Sequence, residues 1–472
     1  MYERKERWRI LFALLLGVIM GPIDISIVNI NLPLIAESFS IPPYRIAWVS
    51  MSYLLMLSTL LLPFGRLGDM FGFKKLYLSG VLIFSFLSFI CALSPSFLFL
   101  VISRGLQALG AGIMMSLAPA IITAIFPSYE RGRALGLYAL SVALGLAVGP
   151  SLGGFLGYIF GWRYIFLVNI PVGILTFSLN HKLLPEEGKK EKAIFDFLGA
   201  SLSFASLLSL LLFITEAPKF SFNFPFFIFL FLSLLLIYAL IKWEGVFPNP
   251  LIDLSLFRNR VFSIALSSAL LNYLTQYILV FSLPFYLQRI LHYSAKDAGA
   301  IMTALPLTTL FVAPLAGWLS DKIGHRLPAL LGLTLCTAAA FLLSSLASKE
   351  EKVSIIWRLS LYGLGTGLFQ SPNNSAVMGA VTKERLGIGG GILATIRNIG
   401  MVFGLGAASA IISWRLEIYS LLNLQNAFFL SLRDTCLTAG LISCVTVILA
   451  IANFFTVDKQ KNLVKMINSK GR

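Results

Sequence analysis

Long hydrophobic runs recur along the chain at intervals of roughly 25 to 35 residues, with short polar connections between them. Each run can supply the roughly 20 residues with which an α-helix crosses a bilayer, and none alternates like a barrel strand. The pattern predicts an all-α polytopic membrane protein. Fourteen spans are expected, at about 10–36, 46–66, 75–94, 97–122, 134–158, 163–183, 196–216, 223–243, 261–287, 297–317, 328–347, 354–378, 388–412 and 434–457.

Composition supports this class. The 472 residues are 57% hydrophobic and 12% charged, and the mean hydropathy is +0.85, which a water-soluble globule could not bury. No connection exceeds about 20 residues, and no G-x-x-x-x-G-K-[ST] motif appears. We therefore expect neither a soluble catalytic domain nor an ATP site, and predict a protein that is not an enzyme and uses no cofactor.

A charged loop occurs twice. The sequence GRLGDMFGFKK at 65–75 returns as GWLSDKIGHR at 317–326, which indicates an internal duplication. Equivalent residues lie 252 positions apart: Gly65 and Gly317, Asp69 and Asp321, and Gly72 and Gly324, with Arg66 in the first copy only. Such a loop either latches two helices in alternative arrangements or simply sets topology. Because the loop occurs twice, we favour the interpretation that it latches two helices.

The 252-residue offset predicts the domain organisation. Two six-helix halves alone would be offset by about 200 residues, at about 33 residues per helix and loop. The excess has room for two more helices, and the spans near 196–216 and 223–243 fit. We expect an N-terminal six-helix bundle over 1–185, two inserted helices with cytoplasmic linkers over 186–258, and a C-terminal six-helix bundle with a cytoplasmic tail over 259–472. The segment 413–434 is either an external amphipathic hairpin or a folded-back extension of its neighbouring helices.

The net charge of +16 reflects topology. With a cytoplasmic N-terminus, 25 Lys and Arg residues lie inside, 10 lie outside, and Arg104 and Arg397 lie within spans. Both termini and both copies of the loop are then cytoplasmic, in a multi-pass protein of the cell's cytoplasmic membrane. The charge predicts contact with anionic lipid and no nucleic-acid partner. We expect a monomer, with an adaptor protein as an alternative, and no metal: the four cysteines lie in or beside apolar spans as small hydrophobes.

Ionisable residues inside spans are candidates for function. Asp24 is near the middle of the first span, where an ionised carboxylate is costly and must face water or bind a proton. Arg104 and Gln107 are expected at a similar depth in the fourth span, and Asn31 on the same helix face as Asp24. We predict that Asp24, Arg104 and Gln107 form a proton-coupling group, with a fixed structural ion pair as the alternative.

The second half offers a further polar set. Its members are expected to line a substrate cavity with Asn31, although contact between helices would explain each of them individually: Asn272, Tyr273, Gln276, Tyr277, Arg397 and Asn398.

In the span 134–158 a small residue recurs every fourth position, which lets another helix approach closely. The stripe consists of Ser141, Gly145, Gly149, Gly153 and Gly157, with Pro150 and Gly154 beside it. Tight packing alone accounts for this stripe, and a bend at Pro150 that matters for cycling is an added hypothesis.

The chain resembles the major facilitator superfamily, and in particular its fourteen-helix drug:proton antiporters. The repeated loop is similar to the family's G-x-L-x-D-x-x-G-x-[KR] signature, which implies a conformational pivot. The residues from Arg104 to Gly112 resemble its R-x-x-Q-x-x-G motif, implied to assist proton transfer, although Ala108 replaces a usual glycine. The sequence from Gly145 to Gly154 matches its antiporter motif.

Three further segments resemble the fourteen-helix branch: Asp24 to Pro33, Gly161 to Gly173, and Pro284 to Gln288. The first implies a role for Asp24 in proton coupling. The span 297–317 lacks the deep acidic residue with which some multidrug members bind cations. The resemblance implies proton-driven export of amphipathic drugs by alternating access. The alternatives are a dedicated exporter of one metabolite, lipid or siderophore, and a non-transporting sensor or lipid-modifying enzyme.

Overall fold

The protein is described here from a computed structural model, which covers residues 3–185, 196–216, 224–247, 253–382 and 386–470. Within these ranges, the side chains at 69, 128, 216, 224–226, 386–387 and 452–470 are outside the description. The linker expected at 186–195 also lies outside the described residues. The described residues form no β-strand, which confirms the all-α fold.

Seventeen α-helices are present in the described ranges. They are α1 (Arg4–Ser38), α2 (Pro43–Ile46), α3 (Trp48–Phe71), α4 (Phe73–Ala92), α5 (Phe97–Ile125), α6 (Ser128–Ile159), α7 (Tyr164–Leu167), α8 (Asn169–Leu183), α9 (Phe197–Glu216), α10 (Phe224–Glu244), α11 (Arg260–Phe285), α12 (Ala295–Met302), α13 (Ala304–Ile323), α14 (Arg326–Ser344), α15 (Lys352–Gly379), α16 (Leu386–Ile418) and α17 (Leu424–Lys470). A 3₁₀ segment, Leu254–Arg258, precedes α11, and a π-helical turn, Tyr286–Ile290, continues it.

Within the described ranges, thirteen helical segments are long and apolar enough to cross a membrane. The predicted span near 354–378 corresponds to α15, which is 28 residues long but less apolar. It packs between α13 and α14 inside the bundle, so it needs less hydrophobic surface than a helix that faces lipid. Below, the near end of the bundle is the end at which α1 begins, and the far end is the end at which α1 stops.

The two copies of the repeated loop share an unusual backbone conformation. Gly72 ends α3 with φ +91°, and Gly324 ends α13 with φ +87°. L side chains rarely adopt such positive φ values, whereas glycine does so at little cost. The chain therefore reverses at the near end in the same way in both halves.

Helix packing repeats with the same 252-residue offset. A side chain at Gly80 on α4 would clash with Ile113 of α5. Gly332, which is 252 residues beyond Gly80, lies equally close to the backbone of α15 at Gly365 and Phe369. Small residues permit this backbone approach in both halves. The duplication seen in the loops therefore extends to the helices behind them.

Contacts between the first and second halves are close at the far end. Gly154 of α6 lies directly against the carbonyl oxygen of Ala295 at the start of α12. One turn closer to the near end, the hydroxyls of Ser151 and Thr303 are 2.7 Å apart. Gln288 donates to the carbonyl oxygen of Ile30 at 2.8 Å. These contacts hold the far ends of the two halves together.

The inserted helices form a separate pair at the side of the bundle. Helices α9 and α10 pack on each other, and α9 also contacts α3 and α16. Trp243 Nε1 donates to Asp196 Oδ1 at 2.9 Å, which ties the near ends of the pair together. The pair therefore touches both halves through α9, while α10 leaves much of its apolar surface exposed.

The segment 413–434 consists of extended neighbouring helices rather than a separate hairpin. Helix α16 continues to Ile418, and α17 begins at Leu424. Arg415 Nε lies 3.1 Å from Asp434 Oδ2, and the Tyr419 hydroxyl donates to the same oxygen at 2.7 Å. This hydrogen bond to a carboxylate raises the pKa of Tyr419, because ionising the phenol would place two negative charges together.

Candidate functional site: a buried ion pair in the first bundle

Asp24 is placed by α1 and faces the interior of the first helix bundle. Its side chain is 1% exposed, as is that of Arg104, and Gln107 is fully buried. Arg104 and Gln107 are three residues apart on α5, so both point from one face of that helix towards α1. The structure thus brings together the three residues that were predicted to lie at one depth.

The carboxylate of Asp24 accepts three side-chain hydrogen bonds. Arg104 donates from Nη1 to Oδ2 in a direct ion pair. Gln107 donates from Nε2 to Oδ1 at 3.2 Å, and Asn169 of α8 donates from Nδ2 to the same oxygen at 3.0 Å. Buried charges are tolerated when they are paired and hydrogen-bonded in this way. Both oxygens of the carboxylate therefore have hydrogen-bond partners.

Further partners extend the group to α4. The Ser88 hydroxyl accepts from Gln107 at 2.7 Å and from Asn169 at 3.3 Å. Arg104 also donates from Nη1 to Oε1 of Gln107 at 2.6 Å and from Nε to the backbone carbonyl of Val49 at 3.4 Å. We call Asp24, Ser88, Arg104, Gln107 and Asn169 the Asp24 network. It joins four helices, α1, α4, α5 and α8.

Two members of the network were not assigned to it from the sequence. Asn169 was noted only within the motif that runs from Gly161 to Gly173, and Ser88 was not noted. A serine or asparagine in an apolar span has no partner visible in the sequence. The available signal was the position of Asn169 six residues into the span predicted at 163–183, within the motif that contains Trp162 and Arg163.

Aromatic rings cover the guanidinium of Arg104. Its Cζ lies 4.3 Å from the ring centre of Tyr53 and 5.5 Å from that of Phe166. Such contacts stabilise a cation and also exclude water. The ion pair therefore lies in a site with little water, where electrostatic interactions are stronger than in bulk solvent.

Asn31 lies elsewhere, between α1 and α6. It donates from Nδ2 to the carbonyl oxygens of Ile27 at 2.9 Å and of Gly153 at 2.8 Å, and it is fully buried. Beside it, Gly145 and Gly149 lie against Pro22 and Ser26 of α1. The glycine stripe therefore brings α1 and α6 together, while Pro150 and Gly154 contact α12.

The polar residues predicted in the second half occupy more than one environment. Asn272 donates to Cys336 Sγ of α14 at 3.8 Å, inside the second bundle. Tyr273 and Tyr277 face α16, where Gly400 and Gly404 lie against them. Gln276 is part-buried on α11.

The contacts of α11 with Gly400 and Gly404 match those of α1 with Gly145 and Gly149 at an offset of 251 residues, which makes Thr275 the equivalent of Asp24. Thr275 is buried, and its hydroxyl lies 3.2 Å from that of Tyr362.

Arg397 lies on α16 beside Tyr273, and Asn398 is buried on the same helix.

The residues of the repeated loops lie at the near end of the bundle. Gly65 packs near Ser116 of α5, and Gly317 packs near Ser371 of α15. Asp321 is exposed and Arg66 is part-buried, whereas the side chain of Asp69 lies outside the described residues.

Over the described part of the chain, no three His, Cys, Asp or Glu side chains are grouped as metal ligands would be. The helical bundle and its buried ion pair are features of a polytopic membrane transporter. The chain belongs to the Major Facilitator Superfamily, which it matches over residues 14–405.

Known relatives include transporters of different names. The chain is 35% identical to the riboflavin transporter RibZ of Clostridioides difficile, across 85% of this chain and 87% of that protein. It is 31% identical to the uncharacterized transporter YebQ of Escherichia coli, across 93% of this chain and 95% of that protein. It is also 31% identical to the multidrug resistance protein Stp of Mycobacterium tuberculosis, across 85% and 75%.

Solved structures share the fold. A bacterial homologue of the human lysosomal transporter Spinster, in an inward-facing and unoccupied conformation, superposes with a TM-score of 0.70 at 17% identity, covering 95% of this chain and 97% of that one. The peptide transporter POT gives a TM-score of 0.66 at 15% identity, covering 93% and 94%. At these identities the likeness concerns the fold alone.

Proposed function

We propose that the protein is a proton-coupled antiporter that exports a small amphipathic compound across the cytoplasmic membrane, with both termini in the cytoplasm. The Asp24 network carries this proposal. A carboxylate that is 1% exposed and hydrogen-bonded to three side chains is costly to build within a membrane. A proton-binding role accounts for that cost.

Protonation would act through the ion pair. When Asp24 gains a proton, the network changes from neutral overall to a net charge of +1, and Arg104 loses its charged partner. The guanidinium then interacts more strongly with its remaining acceptors, the Gln107 side chain and the Val49 carbonyl. Because the network joins four helices, this shift in contacts biases the packing of the whole first bundle.

The contacts between the halves would then exchange. In the described arrangement the far ends are held together by α6 and α12, at Gly154 against Ala295 and at Ser151 against Thr303. Export requires these contacts to open, while the repeated loops that contain Gly72 and Gly324 close the near end. Proton entry down its gradient supplies the free energy for this exchange.

The decisive test uses proteoliposomes with an imposed pH gradient and a transported dye. Asp24→Asn retains the size of the side chain and one of its two acceptor oxygens but cannot bind a proton. We expect it to abolish gradient-driven uphill transport while it retains exchange of dye between equal concentrations. Thr176→Val, a buried substitution on α8 outside the network, is the matched control. Undiminished uphill transport by Asp24→Asn would refute the proposal.

A second candidate function is transport of a single metabolite. Similarity to a protein named as a riboflavin transporter favours it, because that relative is 35% identical over most of both chains. A thermal-shift screen of purified protein separates the two functions. A multidrug exporter should be stabilised by several unrelated amphipathic compounds, whereas a dedicated transporter should respond to one compound and its close analogues.

A further inference from the structure

Arg397 is an arginine within a membrane-spanning helix that forms no ion pair with any described carboxylate. It lies on α16, eleven residues after the helix begins, and its side chain is part-buried. Its Nε atom is buried and has no hydrogen-bond partner. Arg104, which also lies within a span, is paired with Asp24. A cation in this position that lacks an acidic partner calls for a function.

A tyrosine ring lies beside this guanidinium. The Arg397 Cζ lies 5.7 Å from the ring centre of Tyr273. Tyr277 lies one turn further along α11, where its Cβ packs against Gly404 of α16. Tyr138 of α6, whose hydroxyl donates to the Met115 carbonyl oxygen at 3.3 Å, is close enough for the charge of Arg397 to act on it. We call Arg397, Tyr138, Tyr273 and Tyr277 the Arg397 cluster. It combines aromatic rings, hydroxyl groups and one positive charge.

The cluster lies where the two halves of the transporter meet. Tyr138 belongs to the first half, whereas the other three residues belong to the second. Along α6, Tyr138 precedes Gly145 by seven residues, and Gly145 packs against Pro22 of α1. The cluster is thus roughly 10 Å closer to the near end than this contact. Arg397, Tyr273 and Tyr277 belong to α16 and α11, whereas the Asp24 network lies among α1, α4, α5 and α8.

Packing between helices does not require Arg397. Helices α11 and α16 already approach closely through Gly400 and Gly404, which lie against the backbone of Leu270 and Leu274. A leucine or methionine at position 397 would serve such a contact at a much lower desolvation cost. The charge itself therefore needs a partner, and that partner is absent from the described residues.

We propose that the Arg397 cluster binds the substrate, and that the substrate is a planar aromatic anion. The rings of Tyr273 and Tyr277 would contact its flat face, and the guanidinium of Arg397 would bind its carboxylate, phosphate or ionised phenol. Tyr138 would contact it from the first half, so that the ligand bridges both halves. This inference rests on the proposed transport function and gives it a substrate class.

A matched pair of dyes tests the charge preference. Fluorescein and rhodamine 123 share a three-ring xanthene core, but at pH 7.5 the former is an anion and the latter a cation. Binding is followed by fluorescence anisotropy with the purified full-length protein in detergent, without a pH gradient. We expect fluorescein to bind at least tenfold more tightly than rhodamine 123.

Substitution of Arg397 should change the affinity for fluorescein much more than the affinity for rhodamine 123. Arg397→Gln is expected to weaken fluorescein binding at least tenfold and to leave rhodamine 123 within twofold. Arg397→Lys should retain part of the fluorescein affinity, because it keeps the charge but loses the planar donor geometry. Arg415→Gln is the matched control, since it removes an arginine from the same helix at its far end. It should leave both affinities unchanged.

Three outcomes would overturn the inference: no binding of fluorescein to the unmodified protein, tighter binding of rhodamine 123, or equal loss of both dyes in Arg397→Gln. If Arg397→Gln does not fold, the preference of the unmodified protein and the Arg397→Lys variant decide. The gradient-driven assay of Asp24→Asn is independent of these measurements. The dye-binding result can therefore contradict the proposed substrate class while the transport assay supports proton coupling. The transport assay can equally contradict proton coupling while the dyes support the substrate class.

Discussion

Asn169 donates a hydrogen bond of 3.0 Å to Asp24 although the two residues are 145 positions apart in the chain. The bond connects the start of α8 to the middle of α1. Asn169 also contacts Ser88, so one amide group links α8 to both α1 and α4. The carboxylate is consequently linked to α8 as well as to α5, which carries Arg104.

Removal of this amide should impair coupling. We expect Asn169→Leu to lower the rate of pH-gradient-driven transport at least tenfold, because it leaves Asp24 with one donor fewer in a buried site. An unsatisfied buried polar group costs about 1–3 kcal/mol. The rate is measured in proteoliposomes beside Thr176→Val, which is also buried on α8 and should transport normally. A normal rate for Asn169→Leu would show that the bond is only structural.

The contact between α6 and α12 should be sensitive to a single methyl group. In Gly154→Ala the new Cβ would overlap the carbonyl oxygen of Ala295. We expect a loss of about 1–3 kcal/mol in stability, measured as a lower thermal-denaturation midpoint in detergent. Gly136→Ala on the same helix has open space around it and should be neutral or slightly stabilising. Equal midpoints for the two variants would contradict this packing.

The far-end contact should open during transport. The Ser151 and Thr303 hydroxyls are 2.7 Å apart, so cysteines at both positions are close enough for a disulfide. Oxidation of Ser151→Cys/Thr303→Cys is expected to stop transport, and a reductant should restore it. Each single-cysteine variant is the control and should be insensitive to oxidation. Full transport by the cross-linked protein would exclude opening at this contact.

The glycine of the second loop should be needed for its backbone conformation. Gly324 has φ +87° and open space around its Cα, so an added methyl group would meet strain rather than a clash. We expect Gly324→Ala to cost about 1–3 kcal/mol of stability. Gly379→Ala, also in open space but without a positive φ, should cost nothing measurable. A thermal-denaturation comparison of the two checks this, and unchanged stability of Gly324→Ala would argue against the described turn.

The sequence predicted the helices well because about 20 apolar residues in a row have one solution in a bilayer. It also brought Asp24, Arg104 and Gln107 together, since helical rise converts position in a span into depth. Breaks within spans were not predicted. The turns between α7 and α8 and between α12 and α13 lie in apolar sequence, where no change in hydropathy marks them.

Side-chain direction was harder to infer than depth. Asn31 was expected on the face of Asp24, but its amide is engaged by the Gly153 carbonyl of α6. Asn272 binds Cys336 within the second bundle rather than a residue of the first. Rotation of a helix about its axis is decided by all of its neighbours together, and a single sequence does not contain that information.

The repeat places Thr275 where the first half has Asp24, since α11 meets Gly400 and Gly404 as α1 meets Gly145 and Gly149. A threonine hydroxyl carries no charge, so the second bundle is neutral at the position where the first has an ion pair. Duplication thus gave the chain two scaffolds of one geometry, and the change of a single functional group made them unequal. The shared helix packing of the two halves is therefore independent of the difference in their buried polar groups. Exchanging these two side chains would move the acidic residue from one half to the other and leave the fold unchanged.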